Sequence, residues 1–327
     1  MNELQLNPGR RYRHPAFYLA ILLLAAIVSL WPISFHIYSL KNDALNYFLP
    51  VRQLVSESLH EGSLPLWTPY LNLGYPLHGD MQSGAWNPVV QLFSIFGPYT
   101  LYTLQLETLL YVYLGGVGMF FLLKYFRVHP YAGIVAAVGY MLCGYNIDSC
   151  QFLNWIGGTA FLPFVFLFYY RCLKEASVKQ GIYAGTALFF MFTGAYPADF
   201  IITLYLLVVL FIVHIISRAR KNEKILTRSF ILAHLLLLLT FLVLSSPAIL
   251  SYIESLPLQE RGTGASYDQV MSNPLHPYLI STFTTPLAGW KMPGVSVTDP
   301  LQRNSWIGIA AFIFLVAGFL TRSQAGI

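Results

Sequence analysis

The feature that most constrains this chain is a succession of long apolar runs, beginning with "AFYLAILLLAAIVSLWPISFHIY". Runs of about 20 residues without the strict alternation of a barrel strand match a helix that crosses a bilayer. In hydrocarbon every backbone N–H and C=O must be paired within the protein, and a helix satisfies that internally. The runs predict spanning helices at roughly 16–38, 99–123, 130–146, 157–173, 179–195, 200–217, 229–250 and 305–321. Composition agrees, because 56% of the residues are hydrophobic and only 10% are charged, outside the range of ordinary soluble domains. The expected fold is all-α: a polytopic membrane bundle of about eight helices, one transmembrane domain over 1–327.

Charge sets the threading. The first run follows "GRRYRH" without a small-residue cleavage site, which predicts a signal anchor. Fourteen of the nineteen Lys and Arg fall in the N-terminal tail, the connections at 124–129, 171–179 and 218–228, and Arg322. Positive residues stay on the cytoplasmic side, so both termini are expected there. The net charge of +5 is scattered between apolar segments, which fits orientation in a membrane and argues against a nucleic-acid partner. Ten of the fourteen Asp and Glu lie on the opposite side, where two long segments also run, about 39–98 and 251–304. Long ordered loops usually carry function, so the active face is expected outside the cell membrane. Cys143, Cys150 and Cys172 have no metal-ligand spacing and are expected to be packing residues. No internal repeat supports a transporter built from two similar halves.

The first outer loop opens with "SLKNDALNYFLPVR". From Asn42 to His60 few breakers occur, and Leu45, Leu49, Leu54 and Leu59 recur among polar residues, as suits a short helix lying along the membrane surface. Asp43, Asn46, Tyr47 and Pro50 share one side of that helix. Behind it, "EGSLPLWTPYLNLGYPLHGDMQSGAWNPVV" interleaves prolines and glycines with Trp67, Tyr70, Tyr75 and Trp86, the pattern of a shaped loop. Asn87 and Pro88 suit the cap and first position of the next helix. Asp43 or Asp80 alone would be ordinary solvated charges. Together in one aromatic-lined loop, with His78 beside the second, they suit a general base acting on a hydroxyl. They equally suit a pair holding a divalent cation, magnesium or manganese, against a phosphate.

These residues carry a resemblance. "NDALNYFLPV" after an apolar first helix, then "GSLPLWTPYLNLGYPLHGDMQSGAWNPVVQLF", resembles the YfhO family of bacterial membrane proteins. "LGGVGMFFLLKYFRVHPYAGIVAAVGYMLCGY" is similar to the family's second and third helices, and "FTGAYPADF" to its stretch after the fifth. Family members resemble GT-C glycosyltransferases, multi-helix enzymes of the bacterial cytoplasmic membrane. These take a sugar from a polyprenyl-phosphate carrier on the outer leaflet. The resemblance implies a GT-C-like fold, a catalytic Asp that by position is Asp43, Asp80 as a second acidic residue, and a glycan, lipid or protein acceptor. YfhO-type proteins carry more helices and commonly a further outer domain, so this chain is expected to be a short form or an N-terminal fragment.

Other candidates surround this loop. Asp148 in "GYNIDSCQFLNW" and Asp199 in "GAYPADF" follow helices that end outside, and either flank those helices or sit on the rim of the same cavity. Glu107 is the only acidic residue well inside a span, as packing residue or cavity wall. A departing polyprenyl phosphate needs cationic help, for which the outer cations are Lys41, Arg52, Arg261, Lys291 and Arg303, with Arg303 best placed. Tyr47, Arg52, Trp67, His78, Asn87, Asp148, Asp199 and Arg303 thus form the expected substrate-binding set. Trp67, Trp86, Trp155, Trp290 and Trp306 also fit an interfacial aromatic belt. The alternative function is a non-catalytic transporter or assembly protein for lipid-linked glycans, whose usual mark is charged or broken helices near the midplane.

Overall fold

Each apolar run becomes a helix in the computed structural model, which describes residues 14–71, 73–224, 226–258, 266–272, 274, 276–285, 288 and 303–324. Among the described residues the longer helices are α1 (Pro15–Ser29), α2 (Leu49–His60), α3 (Pro88–Phe96), α4 (Leu101–Tyr125), α5 (Pro130–Met141), α6 (Leu153–Glu175), α7 (Val178–Gly194), α8 (Pro197–Arg220), α9 (Arg228–Ser255) and α10 (Ile309–Gln324). Among the described residues there is no strand, only an isolated bridge between Thr68 and Tyr75. Four helices, α4, α6, α8 and α9, are long and apolar enough to cross a membrane. The 25 residues of α4 reach about 37 Å at ~1.5 Å per residue, against a hydrocarbon core of ~30 Å.

Two of the others are clearly shorter than expected. The first helix stops at Ser29 and resumes as a single turn, Trp31–Ser34, instead of running to residue 38. Pro32 explains the break, since it donates no N–H and its ring crowds the carbonyl one turn back. Likewise α5 ends at Met141 after 12 residues and restarts as the turn Gly144–Asp148.

Packing follows a chain of neighbours: α5 lies on α4, α4 on α6, α6 on α7 and α7 on α9, with α1 against α4 and α8 against α6. Backbones meet closely between α7 and α9, where a side chain at Gly181 would fall on the Ala233 carbonyl oxygen. Without a hydrophobic drive between helices in lipid, such small-residue contacts supply the dispersion that holds them. Val209 on α8 and Leu239 and Val243 on α9 are exposed members of broad apolar faces. Faces of that extent belong against lipid.

The connections gather at two ends. At one, the turn after α4 meets the end of α6, with Tyr125 and Tyr170 ring centroids 6.0 Å apart. At the other, Asn42 donates to Gln151 Oε1 (2.7 Å), Asn154 to Gln82 Oε1 (2.9 Å), Ser255 Oγ to the Gly79 carbonyl (3.2 Å) and the Gly144 N–H to the Trp306 carbonyl (2.7 Å). The described connections are thus sorted between two ends of the bundle.

The short helix predicted after the first apolar run is present, with an irregularity. Ala44–Phe48 is a π-helical turn that leads into α2. Pro50 cannot donate to the Asn46 carbonyl, and the wider turn accommodates it, with the Leu49 N–H reaching back to the Ala44 carbonyl. Phe48, Val51 and Val55 then pack with Leu77, Val90, Tyr99 and Leu104 in one cluster. Full burial contributes about 1.5–3 kcal/mol for each large apolar side chain.

Candidate functional site

The π turn aims Tyr47 inward, and its hydroxyl donates to Asp80 Oδ2. Asp80 follows the turn Leu77–Gly79, and its other carboxylate oxygen accepts the Gln82 N–H at 2.9 Å. Tyr75 faces the same carboxylate. Burial first, and then the Asp80 charge, hold both the Tyr47 and the Tyr75 hydroxyls protonated well above the usual phenol range. Gln82 continues the network to Asn154 at the start of α6, and the Asn154 carbonyl accepts the Tyr196 N–H at 3.0 Å. One hydrogen-bonded path therefore links the π turn, the Asp80 loop, α6 and the entry to α8.

Asp43 begins the turn that carries Tyr47 four residues on. It is exposed and has no hydrogen-bond or ion-pair partner among the described residues. Its neighbour Asn42, at φ 51° in the left-handed region that asparagine tolerates, ties this end of the turn to Gln151.

Arg52 belongs elsewhere. Only 2% exposed, it pairs with the fully buried Glu107, whose second oxygen accepts from Tyr99. Burial alone would lower the Arg52 pKa, but the Glu107 carboxylate outweighs it and the guanidinium is held charged. Phe48 and Tyr99 rings flank it at 5.6 and 6.0 Å. The pair pins α2 to α4 and leaves Arg52 no surface to offer a phosphate. Asn87 is also committed: its side chain caps α3 by accepting the Val89 N–H (3.0 Å) and donates to Tyr111 (2.8 Å). The sequence pattern anticipated that cap.

The remaining candidates divide. His78 sits beside Asp80 in a small pocket, with its Nδ1 2.6 Å from the Leu66 carbonyl and its Nε2 3.6 Å from Glu254. Trp67 is exposed and covers Gly74, whose φ of 130° only glycine adopts freely. Asp148 is half-buried; burial raises its pKa, and the Asn304 side chain partly offsets this. That contact brings Arg303, the residue before Asn304, to the same end. Asp199 faces Tyr145, and its Oδ2 is buried without a hydrogen-bond partner among the described residues. Arg261, Lys291 and Trp290 lie outside the described residues. Burial lifts the Cys150 thiol to about 12 and raises that of Cys143, so neither is a ready nucleophile.

Several residues here were not expected at the site from the sequence: Gln82, Asn154, Tyr145, Phe152 and Tyr196 were not singled out at all, and Tyr75 and Trp155 only as loop and belt aromatics. Gln82, Asn154 and Tyr75 carry the Asp80 network. Tyr145, Phe152, Trp155 and Tyr196 form an aromatic platform next to Asp199, with Tyr145 and Trp155 stacked at 6.1 Å and Phe152 and Trp155 at 4.7 Å. The "YNID…FLNW" stretch showed the aromatics but not that Tyr196 joins them.

Among the described residues no three His, Cys, Asp or Glu side chains converge as a metal site. Both Asp80 oxygens already have donors, so Asp43 and Asp80 as arranged are a poor fit to a divalent cation. No protein-family model matches the chain, and no curated protein matches it. Fold and site together define a helical membrane protein with a carboxylate- and aromatic-rich site at one end of its bundle.

Proposed function

We propose that this protein is a membrane glycosyltransferase of GT-C-like fold, with about eight spans and its active face outside the cytoplasmic membrane. It would move a sugar from a polyprenyl-phosphate carrier to an acceptor hydroxyl of the envelope. The observation that carries the proposal is an exposed carboxylate, Asp43, at the start of the turn whose Tyr47, four residues on, donates to a second, fixed carboxylate, Asp80. A base must reach substrate, and Asp43 is accessible; a positioning group must not move, and Asp80 is fixed by two donors. The resemblance of this loop to the YfhO family points to the same residue.

In the proposed reaction an Asp43 carboxylate oxygen takes the acceptor hydroxyl proton. The acceptor oxygen forms its bond to the anomeric carbon as the carbon–oxygen bond to phosphate breaks. The electron pair leaves with the phosphate, and the configuration inverts. Among the described outer cations, Arg303 adjoins Asn304, which contacts Asp148 at this end, and it would offset the charge developing on the phosphate. The platform around Trp155 offers apolar ring faces of the kind sugars stack on. No step is routed through a metal. A carrier without chemistry is less supported, because Glu107, the one acidic residue well inside a span, is closed off by Arg52.

The test is sugar transfer from polyprenyl-phosphate donors by purified protein in lipid, comparing wild type with Asp43→Asn. Loss of transfer in a folded variant supports the assignment. Transfer at the wild-type rate removes Asp43 from the mechanism.

A further inference from the structure

At the end of the bundle opposite Asp43, a cleft of about 1000 Å³ opens between the last turns of α4 and α6. Its wall is aromatic, with Phe121, Phe164 and Phe168 along the helices. Its mouth carries Lys124, Arg127, Arg171 and Lys174. Arg171 is neutralised by Glu175 at 2.9 Å. Among the described residues Lys124, Arg127 and Lys174 have no carboxylate partner. Lys124 and Lys174 instead lie over the Phe121 and Tyr170 rings, at 6.0 and 5.5 Å from the centroids. Lys174 also lines a second, polar pocket with Lys221 and with Arg218, the last paired with Glu223 at 2.9 Å.

Three uncompensated cations above an aromatic crevice, at the ends of two helices long enough to cross a bilayer, match one ligand in both charge and polarity. Its head must be anionic and its body apolar. We propose that this cleft binds an anionic glycerophospholipid of the inner leaflet. The phosphate sits among Lys124, Arg127 and Lys174, and the acyl chains run down the wall formed by Phe121, Phe164 and Phe168. Basic pockets between membrane helices hold such heads because the attraction is only weakly screened at the bilayer surface. The proposal is independent of any chemistry at the outer face.

Native mass spectrometry of the detergent-solubilised protein, titrated with phosphatidylglycerol or phosphatidylcholine, tests it. Wild type should retain phosphatidylglycerol in preference to phosphatidylcholine. The variant Lys124→Gln, Arg127→Gln, Lys174→Gln should lose that preference, by roughly fivefold per cation, the equivalent of about 1 kcal/mol each. Lys41→Gln, a charge at the other end, should retain it. Should the triple variant not fold, Lys124→Gln and Lys174→Gln are scored singly, each against the same fivefold. Equal retention of the two lipids by wild type, or unchanged phosphatidylglycerol binding after neutralisation, overturns the proposal.

Discussion

The buried pair of Arg52 and Glu107 makes the sharpest energetic prediction. Both side chains are almost wholly inaccessible, at 2% and 0% exposure, so neither charge can be rescued by water when its partner goes. Two unit charges ~4 Å apart at an effective dielectric of ~20 attract by about 4 kcal/mol. Removing one member of such a pair typically costs about 3–5 kcal/mol, because the other is left buried and uncompensated. Glu107→Ala is therefore expected to destabilise the protein by about 3–5 kcal/mol. The double change Arg52→Leu, Glu107→Leu removes both charges. It strands mainly the Tyr99 hydroxyl, a cost of about 1–3 kcal/mol, so it should be more stable than Glu107→Ala alone. Denaturant unfolding in micelles, read as a double-mutant cycle, measures the difference. Additive single losses, or a Glu107→Ala cost under about 1 kcal/mol, would refute the view that the pair is a coupled unit pinning α2 to α4.

Other outcomes follow from the same geometry. Asp43→Asn should lower the transfer rate by about 10²–10⁴-fold, the usual contribution of a positioned general base, with unfolding unchanged because the Asp43 side chain has no partner among the described residues. Tyr47→Phe removes a donor to the Asp80 carboxylate and should cost about 1.5–3 kcal/mol, read by thermal unfolding. Because burial raises the Asp148 pKa, the native state binds that proton more tightly than the unfolded chain does. Its contribution to stability is full below the ordinary Asp range and is lost as pH rises through the folded value. Asp148→Asn should therefore flatten the acid-side stability profile and stabilise slightly at neutral pH. Gly181→Leu should drive α7 from α9, measurable as lost thermal stability, since the added side chain meets backbone that cannot yield.

What was legible in the sequence follows from short-range physics. An apolar run predicts a helix because hydrocarbon leaves the backbone no other partner, and a helix stands in every predicted segment. Helix ends were less legible: Pro32 shortened the first helix, and α5 stopped before 146, where turn chemistry outweighed hydropathy. The cap at Asn87 and the short helix after Asn42 were visible because each rests on residues within one turn of one another.

Partnership across the fold was not legible. Arg52 and Glu107 lie 55 positions apart, and nothing in the string distinguishes an arginine awaiting a phosphate from one locked to a carboxylate. Asp80 and Tyr47 are separated by 33 positions and Asn154 and Gln82 by 72. By itself the sequence determined that the chain is a set of apolar helices with its charges sorted between two ends, since burial and orientation depend on local composition. Which charges are free and which are spent was decided only by tertiary packing, because an ion pair or hydrogen bond acts over a few ångströms that the chain must first fold to close.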